Sequence, residues 1–349
     1  MTFAEAVAGL TALAPAAAAD AAALHDRLAK PRGALGRLEA VGIRLAAIAG
    51  SCPPPVPEPV VVAVFAGDHG VLAEGVTPWP QEVTAQMVAA FCAGGAAVNV
   101  LARHAGARVV VVDVGVAGDL TPAPGLLLRK VRRGTANLAA GPAMTVDDAV
   151  RALDVGVAVA ADAVAGGVRC LVTGDMGIGN TTASAALIAA LTGRPAAEVT
   201  GRGTGIDDST FLRKIRIVEA AALRAPDTGP LDVLAALGGL EIAALAGFIV
   251  GGAAARVPVV VDGVVALAGA VVAAALAPGC VDFCVAGHRS TEPGASAALE
   301  HLGLDPLIDL GMRLGEGTGA LLAVPLVQAA AKVLREMATL DSAGVTEKA

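Results

Sequence analysis

The sequence predicts an α/β protein: a parallel sheet with crossover helices, plus a small helical lobe formed from both termini. Three observations predict it. Short valine-rich runs without polar alternation, each ending at Gly or Asp, suit strands covered on both faces. Long alanine-rich stretches between them read as helices. A strand, a Gly-rich turn and a helix then recur along the chain, the pattern of a parallel sheet with crossover connections.

The predicted strands are Val60–Ala66 before GDHG, Arg108–Val112 before DVGV, Val168–Thr173 before GDMG, Val257–Val261 before DG and Val281–Ala286 before GHRS. The predicted helices include Gln81–Ala105, Ala183–Leu191, Leu231–Ala255 and Ala320–Met337. The first fifty residues also read as helix, and SCPPPVPEP (Ser51–Pro59) breaks the chain before the first strand. The expected division is a large α/β domain over 51–305 and a helical lobe from 1–50 and 306–349, with a frayed tail after Leu340. In a parallel sheet of this type, ligands bind beyond the carboxyl ends of the strands, where the Gly/Asp turns fall.

Composition narrows the function. A chain of 349 residues buries enough core to fold without disulfides or a structural metal. A net charge of −7 and a pI of about 5.3 argue against nucleic acid as a partner, since a phosphate backbone calls for a basic face. Cysteines 52, 92, 170, 280 and 284 form no C-x-x-C pair and are odd in number, which suits a reducing compartment. The start, MTFAEAVAGL, lacks the basic region of a signal peptide, so a cytoplasmic location is expected. A mean hydropathy of +0.69 suggests a membrane protein. The longest uncharged run, between Asp262 and Asp282, is rich in Ala, Gly and Val, has acidic flanks and lacks an aromatic belt, so no stable membrane insertion is expected.

Three Gly-rich segments carry the chemistry. GDMGIGNTTAS (Gly174–Ser184) follows a strand and opens a helix. Gly177 and Gly179 allow close backbone approach, and the N–H groups of Asn180, Thr181 and Thr182 would face an anion at the helix N-terminus. A tight turn with Asn or Thr capping explains the same residues without a ligand. The segment lacks the lysine of a P-loop. GRGTGIDDSTFLRK (Gly201–Lys214) offers Arg202, Gly203 and Lys214, or else a surface loop feeding a helix capped by Asp207 or Asp208. RLGEGTGA (Arg313–Ala320) isolates Glu316 beside Gly315, with Arg313 as the one adjacent cation; it is either an exposed C-cap loop or a carboxylate aimed into a cleft. Asp68–His69 has no second histidine at metal-ligand spacing, so no metal is expected. Arg289 of GHRSTEPG is available to an anion or belongs to a polar turn. Trp79, Phe65 and Phe91 are among the few rings able to stack on a flat ligand, and otherwise are core.

Eleven ordered segments resemble the nicotinate-nucleotide:dimethylbenzimidazole phosphoribosyltransferase family of cobalamin assembly. They are KPRGALGRLE, FAGDHGV, GVTPWPQEVTAQMV, GGAAVNVLAR, DVGV, GTANLAAGPAM, GDMGIGNTT, GRGTG, VVVDG, AGHRSTEPG and LGEGTGA. The resemblance implies a Rossmann-like sheet with a small helical lobe, a homodimer, small-molecule substrates and no cofactor. It maps Glu316 onto the family's catalytic base, Asp175 onto an acidic residue of the glycine-rich segment, Lys214 onto the family's lysine and Gln86 onto the base pocket. Two positions depart from the family pattern. Asp175 is one methylene shorter than the expected Glu, and Thr77 and Trp79 stand where Ser and a smaller aromatic are expected, which bears on base preference.

The implied reaction attacks C1′ of nicotinate mononucleotide with a benzimidazole nitrogen, expels nicotinate and inverts C1′. Nicotinate leaves from its cationic ring as a neutral pyridine nitrogen, so no general acid is required. The incoming base must lose a proton, which Glu316 could accept. Phosphoribosyltransferases that use a pyrophosphorylated sugar carry paired acidic residues directly after an apolar strand; Asp207–Asp208 instead follows GTGI, so no divalent metal is expected. Competing readings are an NAD(P)-dependent oxidoreductase, which lacks a clear acidic residue at the following strand end, and a family relative using adenine or a phenol.

Overall fold

The computed structural model describes residues 1–346. Its strands are β1 (Val60–Gly67), β2 (Ala107–Gly115), β3 (Leu126–Leu128), β4 (Cys170–Met176), β5 (Val259–Val261) and β6 (Cys284–Ala286). They form one sheet in the order β3-β2-β1-β4-β5-β6. Every neighbouring pair is parallel, as in the Rossmann sheet. The chain leaves β1 toward one edge through β2 and β3, then returns to β4 on the other side of β1. The strand order therefore reverses between β1 and β4, and a crevice opens beyond their carboxyl ends.

The strands lack polar alternation because both faces are covered. β1 is buried along all eight residues. Val61, Ala63 and Phe65 face a core shared with the helices Val146–Ala165, Asn180–Thr192, Leu240–Ala254 and Val264–Leu276. Val60, Val62, Val64 and Ala66 face a second core shared with Glu82–Cys92, Ala97–Ala105 and Thr318–Glu336.

The high hydropathy follows from this layering. The uncharged run between Asp262 and Asp282 contains the 13-residue helix Val264–Leu276, which is largely buried. At ~1.5 Å per residue it is about 20 Å long, short of a bilayer core. Glu82–Ala105 and Thr318–Glu336 have the length and composition of membrane spans, yet the first is broken and the second is 56% buried within the protein. Small residues let helices meet backbone to backbone: a Cβ at Gly156 would lie 1.9 Å from the Ala244 carbonyl oxygen, and one at Gly247 would lie 2.0 Å from that of Leu153.

Glycine pairs correct two of the predicted helices. Gln81–Ala105 is two helices, Glu82–Cys92 and Ala97–Ala105, separated where Gly94 adopts φ +78°. Leu231–Ala255 is Pro230–Leu237 and Leu240–Ala254, separated by the extended Gly238–Gly239. The first fifty residues form three helices, Phe3–Ala8, Pro15–Arg27 and Arg37–Ala49. Val281–Ala286 contributes only Cys284–Ala286 to the sheet, after a 3-10 turn at Cys280–Phe283. The edge strand β3 has no counterpart among the predicted strands.

The chain ends meet on one side. Arg37–Ala49 packs on Thr318–Glu336 so closely that a Cβ at Gly42 would lie 3.1 Å from the Ala330 carbonyl oxygen and from the Leu334 side chain. Ala29 N–H donates to the Ala338 carbonyl at 2.9 Å. The Phe3–Ala8 helix lies elsewhere, against Val146–Ala165, where Phe3 N–H donates to Asp154 Oδ1 at 2.6 Å. After Leu340 the chain makes one further helical turn, Leu340–Ala343, and residues 347–349 of the expected frayed tail lie outside the described residues.

Candidate active site

A cleft opens beyond the carboxyl ends of β1, β4 and β5. It is lined by Thr77, Asp175, Gly177, Gly179, Asn180, Thr181, Arg202, Gly203, Lys214, Arg313, Gly315 and Glu316, which brings together most of the residues singled out from sequence.

One wall is the turn from β4 into Asn180–Thr192. Gly177 is required there because a Cβ would lie 2.2 Å from the Gly67 carbonyl oxygen. Gly179 turns the chain at φ +93°. The expected trio of anion-facing N–H groups is reduced, because Asn180 and Thr182 close short turns onto the Gly177 and Gly179 carbonyls at 3.1 and 3.0 Å. Positive charge comes instead from Lys214, on the helix Asp208–Leu223. Its Nζ is buried in the cleft wall and donates to Thr181 Oγ1 at 2.7 Å. Burial lowers the Lys214 pKa to about 8, although the Glu292 charge opposes the shift. Lys214 is therefore a cation that an incoming phosphate would strengthen.

The neighbouring charged residues have other tasks. Asp207 caps the Asp208–Leu223 helix, accepting from Thr210 N–H at 2.8 Å. Arg202 lies 4.6 Å over the Phe211 ring, donates to the Ile206 carbonyl and pairs with Asp208. It borders the cleft while bracing its own loop. Arg313 donates to the Gly203 carbonyl, not to Glu316. Arg289 points away, donating to Ser296 Oγ at 3.2 Å.

Two carboxyls stand beside this turn. Asp175 Oδ2 accepts from Asn180 Nδ2 at 3.0 Å. Burial and the charges of Asp262, Glu241 and Glu316 raise its pKa well above the usual range, favouring the neutral acid. Glu316 stands next to it, since a Cβ at Gly315 would lie 3.3 Å from Asp175 Oδ2. Glu316 is only 5% exposed, so the exposed-loop alternative does not hold. Burial raises its pKa to about 7, with the Val98 backbone opposing and Asp262 adding to the rise. Glu316 Oε2 has no hydrogen-bond partner among the described residues.

Several expectations move. Gln86 is exposed and borders a separate groove with Asp119–Ala123. It lies on the outer face of its helix, while Thr84 faces inward and accepts from Ile178 N–H at 3.2 Å. Trp79 is 48% exposed and does not line the cleft. Phe65 is core, edge-on to Phe248 at 5.4 Å, and Phe91 is also buried. The apolar cleft surface is therefore aliphatic, from Val76, Met176, Ile178, Val264, Val265 and Leu314. His69 is committed to a buried pair, its Nε2 2.7 Å from Glu241 Oε1. Burial lowers the His69 pKa, but the Glu241 charge and hydrogen bond outweigh it and the net shift is upward.

Sequence reasoning missed Glu292 and Asp262. Glu292 Oε1 accepts from Gly203 N–H at 2.8 Å and stands so close to the loop that a Cβ at Gly201 would clash with its carboxylate. Its signal was the single acidic residue in AGHRSTEPG. Asp262, at the end of β5, was legible only as the Asp of VVVDG.

An α/β sheet with a buried lysine, a glycine-rich helix entry and a buried carboxyl beyond its strand ends suits enzymes that handle phosphorylated sugars. A protein-family model described as phosphoribosyltransferase matches residues 10–345, and the chain belongs to that family. The chain is 58% identical over 348 residues to the nicotinate-nucleotide–dimethylbenzimidazole phosphoribosyltransferase of Salinispora tropica, covering 95% of this chain and 96% of that protein. It is 57% identical over 327 residues to the protein of the same name from Chloroflexus aurantiacus, covering 93% of each. The fold is similar to the crystal structure of CobT from Thermus thermophilus, with a TM-score of 0.92, 52% identity and coverage of 96% of this chain and 100% of that one.

Proposed function

We propose that this chain transfers the phosphoribosyl group of nicotinate mononucleotide to 5,6-dimethylbenzimidazole, giving α-ribazole 5′-phosphate and nicotinate for the nucleotide loop of cobalamin. The observation that carries this reading is the convergence on one cleft of two buried side chains, the Glu316 carboxyl and the Lys214 ammonium, whose burial moves their pKa values toward neutrality, to about 7 and about 8. The first can take a proton near neutral pH and the second can hold a phosphate. The relatives' shared name supplies the two substrates.

In this mechanism Lys214, Thr181 and the entry to the Asn180 helix hold the 5′-phosphate. The aliphatic wall of Val264, Val265 and Met176 receives the flat base. A benzimidazole ring nitrogen attacks C1′ as the C1′–N bond to nicotinate breaks. That electron pair returns to the nicotinate ring nitrogen, neutralising its cation. The second benzimidazole nitrogen gives its proton to Glu316, a step worth ~10²–10⁴-fold. Attack opposite the leaving group inverts C1′. Asp175, held neutral, donates a hydrogen bond to a substrate oxygen. Oxocarbenium character at C1′ is expected by analogy with glycoside chemistry. We further propose a cytoplasmic homodimer whose helical lobe combines residues 1–50 and 306–349 apart from the Phe3–Ala8 helix, and in which Thr77, in the cleft lining, bears on base preference. The exposed Leu310, in the loop that leads to Glu316, offers apolar surface to a second copy.

The test is a chelator-treated assay of nicotinate release from nicotinate mononucleotide with dimethylbenzimidazole, comparing wild type with Glu316→Ala. Turnover by wild type and a loss of at least ~10²-fold in the folded variant support the reading. Equal rates remove Glu316 as the base.

A further inference from the structure

We propose that Asp262 is the positioning residue for Glu316: its carboxylate locks the left-handed turn that delivers Glu316 to the cleft and sets the charge beside it. The proposal rests on the reading of Glu316 as the proton acceptor.

The turn needs an external lock. Gly315, Glu316 and Gly317 have φ of +82°, +63° and +86°, three consecutive left-handed residues. Glycine adopts this readily, but Glu316 incurs a cost of ~1–2 kcal/mol and stays there only if its surroundings impose it. Glu316 is one of two non-glycine residues with positive φ among the described residues. The turn ends at the N-terminus of the helix Thr318–Glu336, whose N-cap residue is Gly317 and which has no side-chain cap of its own.

Asp262 supplies the missing acceptors from 55 residues away. It is fully buried at the end of β5. Its Oδ2 accepts from Gly317 N–H at 3.1 Å, and its Oδ1 accepts from Ala320 N–H at 2.9 Å. One carboxylate thus pins the last residue of the turn and the first turn of the helix, and its negative charge suits a helix N-terminus. Asp262 is itself fixed, because its own N–H donates to Thr173 Oγ1 at 3.0 Å. Gly174 completes the seat: a Cβ there would lie 2.8 Å from the Glu316 carbonyl oxygen.

The charged groups around Glu316 are few. Asp175 faces it from the end of β4, with Glu241 behind, and Asp262 faces it from the end of β5. His288, following β6, places Nε2 3.4 Å from Asp262 Oδ1. The Val98 amide approaches from the start of Ala97–Ala105, and Arg313 of the same loop is turned to Gly203. Asp262 is therefore both the lock and one of the nearby anions that make Glu316 hold its proton more tightly.

Asp262→Asn keeps the size, removes the charge and turns one acceptor into a donor facing an N–H. In full-length enzyme, kcat for phosphoribosyl transfer should fall ~10²-fold from a misplaced carboxylate, with KM for the mononucleotide within about twofold. The acidic limb of the kcat/KM profile should move to lower pH, because an anion beside Glu316 is gone. A mere helix cap would lower Tm but leave the limb where it is, and an unmoved limb in folded Asp262→Asn overturns the proposal. Asp262→Ser, which removes the charge without the misdirected amide, is read the same way if the Asn variant does not fold. Inactive wild type, or an active Glu316→Ala, overturns the underlying reading instead; both controls behaving while the limb stays fixed isolates the failure to Asp262.

Discussion

The two shifted groups facing the cleft dictate a narrow pH profile. Glu316 must be ionised to accept a proton, so activity rises as pH passes upward through about 7. Lys214 must be protonated to hold a phosphate, so activity falls as pH passes upward through about 8. The product of the two active fractions peaks near pH ~7.5 and is ~20-fold lower at both pH ~5.5 and pH ~9.5. The assay is kcat/KM for nicotinate mononucleotide against pH, because that ratio reports groups of the free enzyme. Glu316→Gln should flatten the acidic limb at a rate reduced ~10²–10⁴-fold, and Lys214→Met should flatten the alkaline limb. An acidic limb that persists near pH ~7 in Glu316→Gln would refute the assignment, because another group would then own that titration.

The remaining predictions use the same geometry. Lys214→Met should raise KM for the mononucleotide by at least ~10-fold while dimethylbenzimidazole KM changes little, as steady-state kinetics with each substrate varied would show. Gly156→Ala should destabilise the fold by ~3 kcal/mol or more in a denaturant titration, because its Cβ would sit 1.9 Å from the Ala244 carbonyl oxygen and 2.6 Å from the Phe248 nitrogen, both backbone atoms of the facing helix. Glu316→Gln should stabilise the protein at pH ~8 and not at pH ~4. Folding raises this carboxyl from 4.5 to about 7, so stability is lost as pH rises through that window. The cost corresponds to at most ~3 kcal/mol, and solvent reaching the cleft reduces it to ~1–2 kcal/mol, visible as a pH-dependent difference in Tm.

Legibility followed the range of the interaction concerned. Local patterns revealed the sheet, because a strand buried on both faces must be apolar throughout, and Val60–Ala66 is such a run. The glycine breaks in Gln81–Ala105 and Leu231–Ala255 were visible as GG pairs, but alanine richness outweighed them in a reading by helix propensity. β3 was illegible since three residues of an edge strand carry no period. In the cleft, Glu316 stood out as a lone charge among glycines, whereas Asp175 and Lys214 were singled out by their place in segments that resemble the family. Asp262 and Glu292 did not, because each acts on a backbone N–H far along the chain, at Gly317 and Gly203. Gln86 illustrates the opposite limit: position within a motif does not fix the helix face, and its side chain looks into the groove beside Asp119.

The most direct test of the proposed reaction is product analysis by NMR after incubating the purified chain with nicotinate mononucleotide and 5,6-dimethylbenzimidazole. Stoichiometric nicotinate and a ribotide with α configuration at C1′, formed by wild type and not by folded Glu316→Ala, are expected. A β-configured product contradicts in-line displacement at C1′, and no product from folded enzyme with any benzimidazole or purine contradicts the proposed reaction itself.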